Sequence, residues 1–306
     1  MLYLSGAVLS PGTAPINQIM DEFERYRSLL FSIAYRMLGS VHDAEDILQE
    51  AYLRYQAVDE ETIGSPKALL TTIVTRLCLN LLASSRIQKE TYLGPWLPEP
   101  LLIEDNPVMS DVTPSYDEYD SISMAFMVLL ENLTPLERAV FILREVFDYE
   151  YHEIASILER SEPACRKLFS RAKAYITANR SRFKASPEEH QRLLENFINA
   201  TRSGDLDGLV NLLAEKVVYW ADGGGKVRGA ATQPIYGAMA VAQFVTSSTR
   251  FTPPGSSASF AYVNSRPALI LRAPDGKPVI IVSLEVGEGR IQRIWAIANP
   301  DKLPSQ

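Results

Sequence analysis

YEYHEIASILERSEPACRKLFSRAKAYI, residues 149–176, decides how the first part of this chain is read. Apolar residues recur at helical spacing up to Leu158, and the pattern breaks at Glu159-Arg160-Ser161. A longer, basic helix then begins with Ser161 as its N-cap. Two helices joined by about three residues, the second one basic, have the helix-turn-helix form, whose second helix enters the major groove. On that reading Arg166, Lys167 and Ser170 lie at or near base edges, and Arg171, Lys173 and Arg180 meet phosphates. An αα-hairpin with a solvated basic face has the same pattern. Upstream, Thr134-Pro135-Leu136-Glu137 is a strong helix start: N-cap Thr, Pro at the first helical position, and Glu completing a capping box.

Charge supports the nucleic-acid reading locally but not globally. The 306 residues carry a net charge of −7. Residues 160–184 nevertheless hold eight basic side chains against the single Glu162, a field that an anionic polymer would feel. Hydrophobic residues make up 46% and charged ones 22%, which places the chain among globular proteins. No apolar run approaches the ~18–20 residues of a bilayer span, so no membrane is expected. The opening MLYLSGAVLSPGTAP lacks a basic flank, which makes it a poor signal peptide, and residues 1–19 are expected to be a disordered extension. Cys78 and Cys165 fall at apolar helical positions and read as core residues in a reducing, cytoplasmic compartment. Nothing in their spacing suggests a metal or a disulfide, and no cofactor is expected.

Working outward, residues 20–88 read as helices. Phe23, Tyr26, Leu30, Ile33 and Met37 line one face of the first, which Gly39 can close as a left-handed cap. Ser40 and Asp43 have the capping-box form for the second, whose buried stripe is Val41, Ala44, Leu48, Ala51, Tyr52 and Tyr55. Asp43, Asp46 and Glu50 share its opposite face, either as a solvated stripe or as a docking surface for a basic partner. KALLTTIVTRLCLNLLASSR gives a third helix. Residues 89–118 form an acidic connector of net charge −6. Within it TYLGPWLPEPLL sets Pro95, Pro98 and Pro100 around Trp96, so it can be neither helix nor central strand. Residues 119–185 return to helix. From about Ser186 the texture changes to an α+β domain, residues 186–306, with strand-like runs KVVYWA, SFAYV, ALILRA, PVIIVSLEV and RIQRIWAIA.

These segments together carry a family resemblance. GSVHDAEDILQEAYLRYQ with SPKALLTTIVTRLCLNLLASSR resembles region 2 of the sigma-70 family, the promoter-specificity subunits of bacterial RNA polymerase. LTPLERAVFILREVFDYEYHEIASILERSEPACRKLFSRAKAYI resembles region 4. With no region 3 between them, the chain is similar to an extracytoplasmic-function (ECF) sigma factor. The connector GPWLPEP, the turn DGGGK and the terminal NPDKL resemble the sigma-J-like subgroup, in which a SnoaL-like domain follows region 4. The fold class implied is two all-α modules followed by a cone-shaped α+β barrel.

The resemblance implies roles for particular positions. Asp43, Asp46, Gln49 and Glu50 would dock on the coiled coil of the polymerase largest subunit, with the flap as a second contact. Arg76, Asn80 and Arg86 would touch the −10 element, although NLLASSR is poorer in Lys and Arg than is usual there. The region 4 helix would read the −35 element, and its turn carries Glu159 where many such turns have Gly. The connector would thread the polymerase cleft, where its acids mimic nucleic acid. Trp96, Leu97 and Pro98 are expected to dock on the C-terminal domain or region 2 in the free protein, the alternative being a Trp packed on its own prolines. Asp222, Lys226, Asn299 and Asp301 are the matching regulatory contacts. Tyr219, Trp220, Tyr236 and Trp295 could line an apolar cone for a small ligand, with Asp222 the best acid should the tail be an isomerase-like enzyme. His190 is expected to lie outside any pocket. The function implied is promoter-specific initiation modulated in cis by the tail, with enzyme or sensor as the alternative for that domain.

Overall fold

A computed structural model of the chain describes residues 14–59, 62–84, 91–102, 122–180 and 185–304. Helix α1 (Ala14–Leu38) begins inside the stretch expected to be disordered, because Ile19 already packs against the core; residues 1–13 lie outside the described ones. Gly39 ends it at φ +68°, donating its N–H to the Tyr35 carbonyl at 2.7 Å. Helix α2 (Val41–Gln56) follows at once and buries Ala44, Ile47, Leu48, Ala51 and Tyr55. Helix α3 (Pro66–Ser84) is, against expectation, long and apolar enough to cross a membrane by length and composition. Its apolarity serves packing here: Leu70, Val74 and Cys78 are fully buried among its neighbours.

The second helical module comprises α4 (Met124–Glu131), α5 (Pro135–Phe141, continued by a π-helical turn Ile142–Val146), α6 (Tyr151–Leu158) and α7 (Glu162–Asn179). The Thr134–Glu137 capping box is present in both directions, with Pro135 in the first turn. Ser161 caps α7 through its hydroxyl, which accepts from the Ala164 N–H. Glu159, in the turn between α6 and α7, takes the left-handed conformation at φ +52°. The two helical modules are not separate bodies. Phe31, Tyr35, Val74 and Cys78 from the first share one continuous core with Met127, Leu130, Phe141, Ile154 and Cys165 from the second.

The C-terminal domain starts with α8 (Pro187–Ser203) and α9 (Leu206–Leu212). Strands β1 (Leu213–Asp222) and β2 (Ile235–Tyr236), helix α10 (Ala238–Ser248) and strands β3 (Ser257–Val263), β4 (Arg266–Arg272), β5 (Pro278–Gly287) and β6 (Arg290–Ile297) complete it. The sheet order is β2-β1-β6-β5-β4-β3, antiparallel except for β1 beside β6. Alternation along the strands separates two faces. Tyr219, Leu269, Leu284 and Ile294 face the helices, packing with Leu194, Phe197, Leu209 and Val241. Trp220, Ile281, Trp295 and Ile297 belong to the other face, which is covered by Leu97 and Leu102 of the connector and Met124 of α4. The fold class is therefore two helical modules and an α+β domain built on one mixed sheet, with the connector clamped between them.

Candidate functional site

The connector is held residue by residue between the first helical module and the C-terminal domain. Asp222, at the end of β1, is fully buried. Its carboxylate accepts from the Leu97 N–H at 2.8 Å, from the Lys302 ammonium at 2.8 Å, from the Gly224 N–H at 3.1 Å and from the Tyr92 hydroxyl. Lys302 also donates to the Leu97 carbonyl at 2.6 Å and lies 3.8 Å from the centre of the Trp96 ring. Asn299 adds a bond from its amide to the Tyr92 oxygen at 2.8 Å. Burial and the neighbouring Asp222 push the Tyr92 phenol well above its usual range, so it stays a donor. The glycines of DGGGK permit this closeness: a Cβ on Gly224 would sit 2.6 Å from the Asn299 side chain.

The other side of the connector engages the first helical module. Glu99 accepts from Val41 N–H at 2.6 Å and Ser40 Oγ at 2.8 Å, and its own N–H donates to the Gly39 carbonyl at 2.8 Å. Ser40 Oγ does accept from the Asp43 N–H at 3.1 Å, but the acid that completes the cap comes from the connector. Trp96 sits over the same corner; a Cβ on Gly39 would meet its ring at 2.9 Å. Trp96 is half-buried rather than fully so, and Leu97 and Pro98 beside it are the buried pair. Farther along, Asn264 accepts from Leu101 N–H at 3.1 Å and donates to the Tyr35 hydroxyl at 2.6 Å and the Ile122 carbonyl at 2.9 Å. This one buried amide from the tail ties the connector to both helical modules. Below it, Arg138 of α5 donates to the Met37 carbonyl at 2.6 Å and to Glu131 at 2.7 Å, meeting the C-terminal end of α1.

Of the remaining regulatory candidates, Lys226 pairs with Asp301 at the exposed rim. The nucleic-acid candidates divide. On α7, Lys167, Ser170 and Arg171 are exposed, Arg166 lies over the Tyr151 ring beside Glu162, and Lys173 pairs with Glu145 at 2.9 Å. On α3, Asn80 is exposed, but Arg76 points into the second module: it donates to the carbonyls of Ile157 at 2.9 Å and Ser156 at 3.3 Å and pairs with Glu159 at 3.0 Å. Arg86 lies outside the described residues. On α2, Asp46, Gln49 and Glu50 are exposed and Asp43 half-buried, with Glu50 bonded to Arg54.

The cone differs from expectation. A cavity of about 330 Å³ opens between the sheet and the helices, lined by Phe197, Tyr219, Leu269 and Val282 with Arg202 among its residues. Only Tyr219 of the four expected aromatics belongs to it. Trp220 and Trp295 stack with each other on the opposite face, 6.1 Å apart, because their positions alternate with Tyr219 and Ile294. Tyr236 is 68% exposed on the edge strand. Asp222 shares Trp220's face, so it belongs to the connector rather than to the cone. His190, far from lying outside any pocket, is buried on α8 and lines a second cavity against α4, since Ala185 and the first turn of α8 pack close to that module. Among the described residues no group of three or more His, Cys, Asp or Glu side chains is placed to hold a metal ion.

Tyr92, Glu99, Asn264 and Lys302 escape a reading by motif role, although Glu99 stands inside GPWLPEP and Lys302 inside NPDKL. Their partners lie 57 to 229 positions away, and local pattern carries no trace of such pairings. Comparison with known proteins now has a geometry to meet. The family model for sigma-70 region 2 matches residues 23–87, and that for sigma-70 region 4 matches residues 123–176. The ECF RNA polymerase sigma factor SigJ of Mycobacterium tuberculosis is 36% identical over 295 residues, spanning 93% of each chain. A probable ECF RNA polymerase sigma factor, SigI, of the same organism is 28% identical over 286 residues, covering 91% of this chain and 92% of its own. The crystal structure of the M. tuberculosis extracytoplasmic function sigma factor SigJ matches with a TM-score of 0.72 at 33% identity, covering 92% of this chain and 97% of that one.

Proposed function

The chain belongs to the ECF sigma factors of RNA polymerase, and we propose that its connector and tail act in cis as a brake that holds regions 2 and 4 against each other. As a sigma factor it directs RNA polymerase to promoter DNA. The observation that supports the brake is the buried Asp222 carboxylate, through which the tail grips the Leu97 backbone and the Tyr92 hydroxyl. While that grip lasts, Glu99 stays on the N-terminus of α2, and region 4 stays on α3 with Arg76 engaged by Ser156, Ile157 and Glu159. The −10 and −35 elements lie on separate stretches of duplex, so a chain whose two readers share one core must open to reach both. Covalent attachment gives the tail a high effective concentration, in place of a separate inhibitory protein.

In this reading Asp46, Gln49 and Glu50 form the surface offered to the polymerase largest-subunit coiled coil, and the flap is met by region 4. Lys167, Ser170 and Arg171 meet the −35 element, with Arg166 and Lys173 joining once their ion pairs exchange for DNA. Asn80 and a released Arg76 meet the −10 element, and the work is cytoplasmic. The proposed boundaries are 20–88 for region 2, 89–118 for the connector, 119–185 for region 4 and 186–306 for the tail, of which residues 85–90, 103–121 and 181–184 lie outside the described ones. In this reading the tail is non-catalytic: burial keeps the Tyr219 hydroxyl protonated, and the described residues lining the cone cavity include no Asp, Glu or His that could act as a base.

Run-off transcription with core polymerase tests the brake, on a promoter selected from random sequence. The full chain is compared with a truncation ending at Ala185 and with Trp96→Ala in the full chain. Both variants are expected to transcribe more strongly. Loss of activity in both would make the tail an assistant of the productive arrangement instead.

A further inference from the structure

The cavity of about 330 Å³ between the sheet and the helices has an apolar body and few open polar atoms. Phe197 of α8, Val245 of α10, Leu269 of β4 and Ile280 and Val282 of β5 make its walls. Tyr219 of β1 lines it as well, with 6% of its surface exposed. The Tyr219 hydroxyl makes no hydrogen bond among the described residues, and it is not one of the polar atoms sealed inside the packing. It is open to the cavity, and burial keeps it protonated, so it presents a donor with nothing to receive its proton.

The rest of the lining specifies what fits. Thr201, Ser248, Thr249 and Ser256 donate their hydroxyl protons to backbone carbonyls three or four residues earlier, at 2.7–2.8 Å. Thr252 and Arg202 join Tyr219 as lining side chains whose protons are not taken. Arg202 is exposed, makes no ion pair or hydrogen bond among the described residues, and is the one charged side chain among the described lining ones. A guanidinium only donates and keeps its charge. A ligand suited to this wall therefore has an apolar body and one anionic acceptor group. An ammonium head would meet Arg202 with no carboxylate among the described lining residues to offset it. At the ~30 Å³ that a water takes up in the liquid, the volume admits roughly ten non-hydrogen atoms.

We propose that this cavity binds a medium-chain monocarboxylate, its hydrocarbon body among the apolar walls and its carboxylate received by Arg202 and Tyr219. The binding rests on the cavity alone and stands whether or not the tail brakes transcription.

Adjacent residues of β5 supply the test with an internal control. Ile280 lines the cavity, whereas Ile281 is buried on the opposite face beside Leu102 of the connector. Octanoate is titrated into the full chain carrying ¹³C-labelled isoleucine methyl groups, with Ile280→Val and Ile281→Val assigning the two resonances. It is expected to move the Ile280 resonance and leave that of Ile281 in place. Hexanoate, shorter by two methylenes, is expected to bind roughly tenfold more weakly. Arg202→Gln is expected to weaken octanoate about three- to tenfold and to leave 1-octanol unaffected, whereas Tyr219→Phe weakens both. The proposal is overturned if the Ile280 resonance stays still at tens of millimolar octanoate, or if that of Ile281 moves with it. It also falls if 1-octanol or octylammonium matches octanoate in affinity, or if either variant binds octanoate as tightly as the parent chain.

Discussion

The DGGGK turn and the NPDKL segment meet twice, through ion pairs of the same chemistry and opposite surroundings. Asp222 and Lys302 have side chains 0% and 7% exposed, whereas Lys226 and Asp301 are 55% and 61% exposed. The buried carboxylate is also the acceptor for a backbone N–H and a phenol from the connector; among the described residues the side chains of the exposed pair hydrogen-bond to each other alone. A third pair, Arg76 with Glu159, stands between them, since the arginine is half-exposed yet also serves two backbone carbonyls. Motif resemblance marks both loops equally. Burial and the count of dependent donors separate a latch from a rim contact.

The comparison is broken hardest at Asp222. Asp222→Ala leaves the Leu97 N–H, the Tyr92 hydroxyl and the Lys302 ammonium without their common acceptor. Removing one partner of a buried, hydrogen-bonded pair costs about 3–5 kcal/mol. Most of this is expected to fall on docking, because the connector can leave the sheet while the cone core on the opposite face stays packed. The expected outcome is rapid proteolysis within residues 91–102, loss of the Trp96 environment by fluorescence, and run-off transcription above that of the parent chain. A protected connector in Asp222→Ala would show that Glu99 and Asn264 hold it unaided.

How much of this was legible can be judged from the same residues. The helix-turn-helix and the N-caps at Thr134 and Ser161 were readable because period and capping are local rules, and the strands of the tail because their apolar runs are bounded by turns. Those runs held a further message: VIIVSLEV and IWAIA are nearly continuous rather than alternating, as strands covered on both faces are. The second cover is the connector and α4. Helix α10 escaped notice because GAMAVAQFVTSS begins with Gly and has no charged face to reveal a period. At α2, Ser40 and Asp43 look like a self-sufficient cap, which hides the need for Glu99. Where a loop falls on the outside or inside of a pair of domains is a tertiary fact, and Asp222 read both as a regulatory contact and as the best acid for an enzyme-like pocket until its face of the sheet was known.

A middle-sized effect is expected at Glu159. Glu159→Ala removes the ion pair with Arg76 but leaves the bonds from Arg76 to the Ser156 and Ile157 carbonyls. The left-handed turn is retained with a residue that tolerates it no better than Glu, so backbone strain is nearly unchanged. The closed arrangement should weaken by roughly 0.5–1 kcal/mol, which is a two- to fivefold shift in the opening equilibrium. Amide exchange in α6 and in the middle of α3 should quicken together, and transcription should rise modestly because Arg76 remains available to DNA. Faster exchange in α6 alone would mean that Arg76 does not couple the two modules.

The smallest effect sharpens the comparison most. In Lys226→Ala, Asp301 returns to water rather than to a buried void, and the pair gives up an exposed interaction worth at most about 0.5 kcal/mol. Connector protection and transcription should match the parent chain within error. What little coupling a Lys226→Ala/Asp301→Ala cycle detects should vanish as ionic strength is raised past the point where the screening length falls below ~5 Å. The buried pair should keep its effect under the same salt, because water and counterions do not enter between Asp222 and Lys302. If instead Lys226→Ala releases the connector as fully as Asp222→Ala does, the DGGGK turn acts as a single rigid unit. Exposure would then no longer tell which of its charges matters.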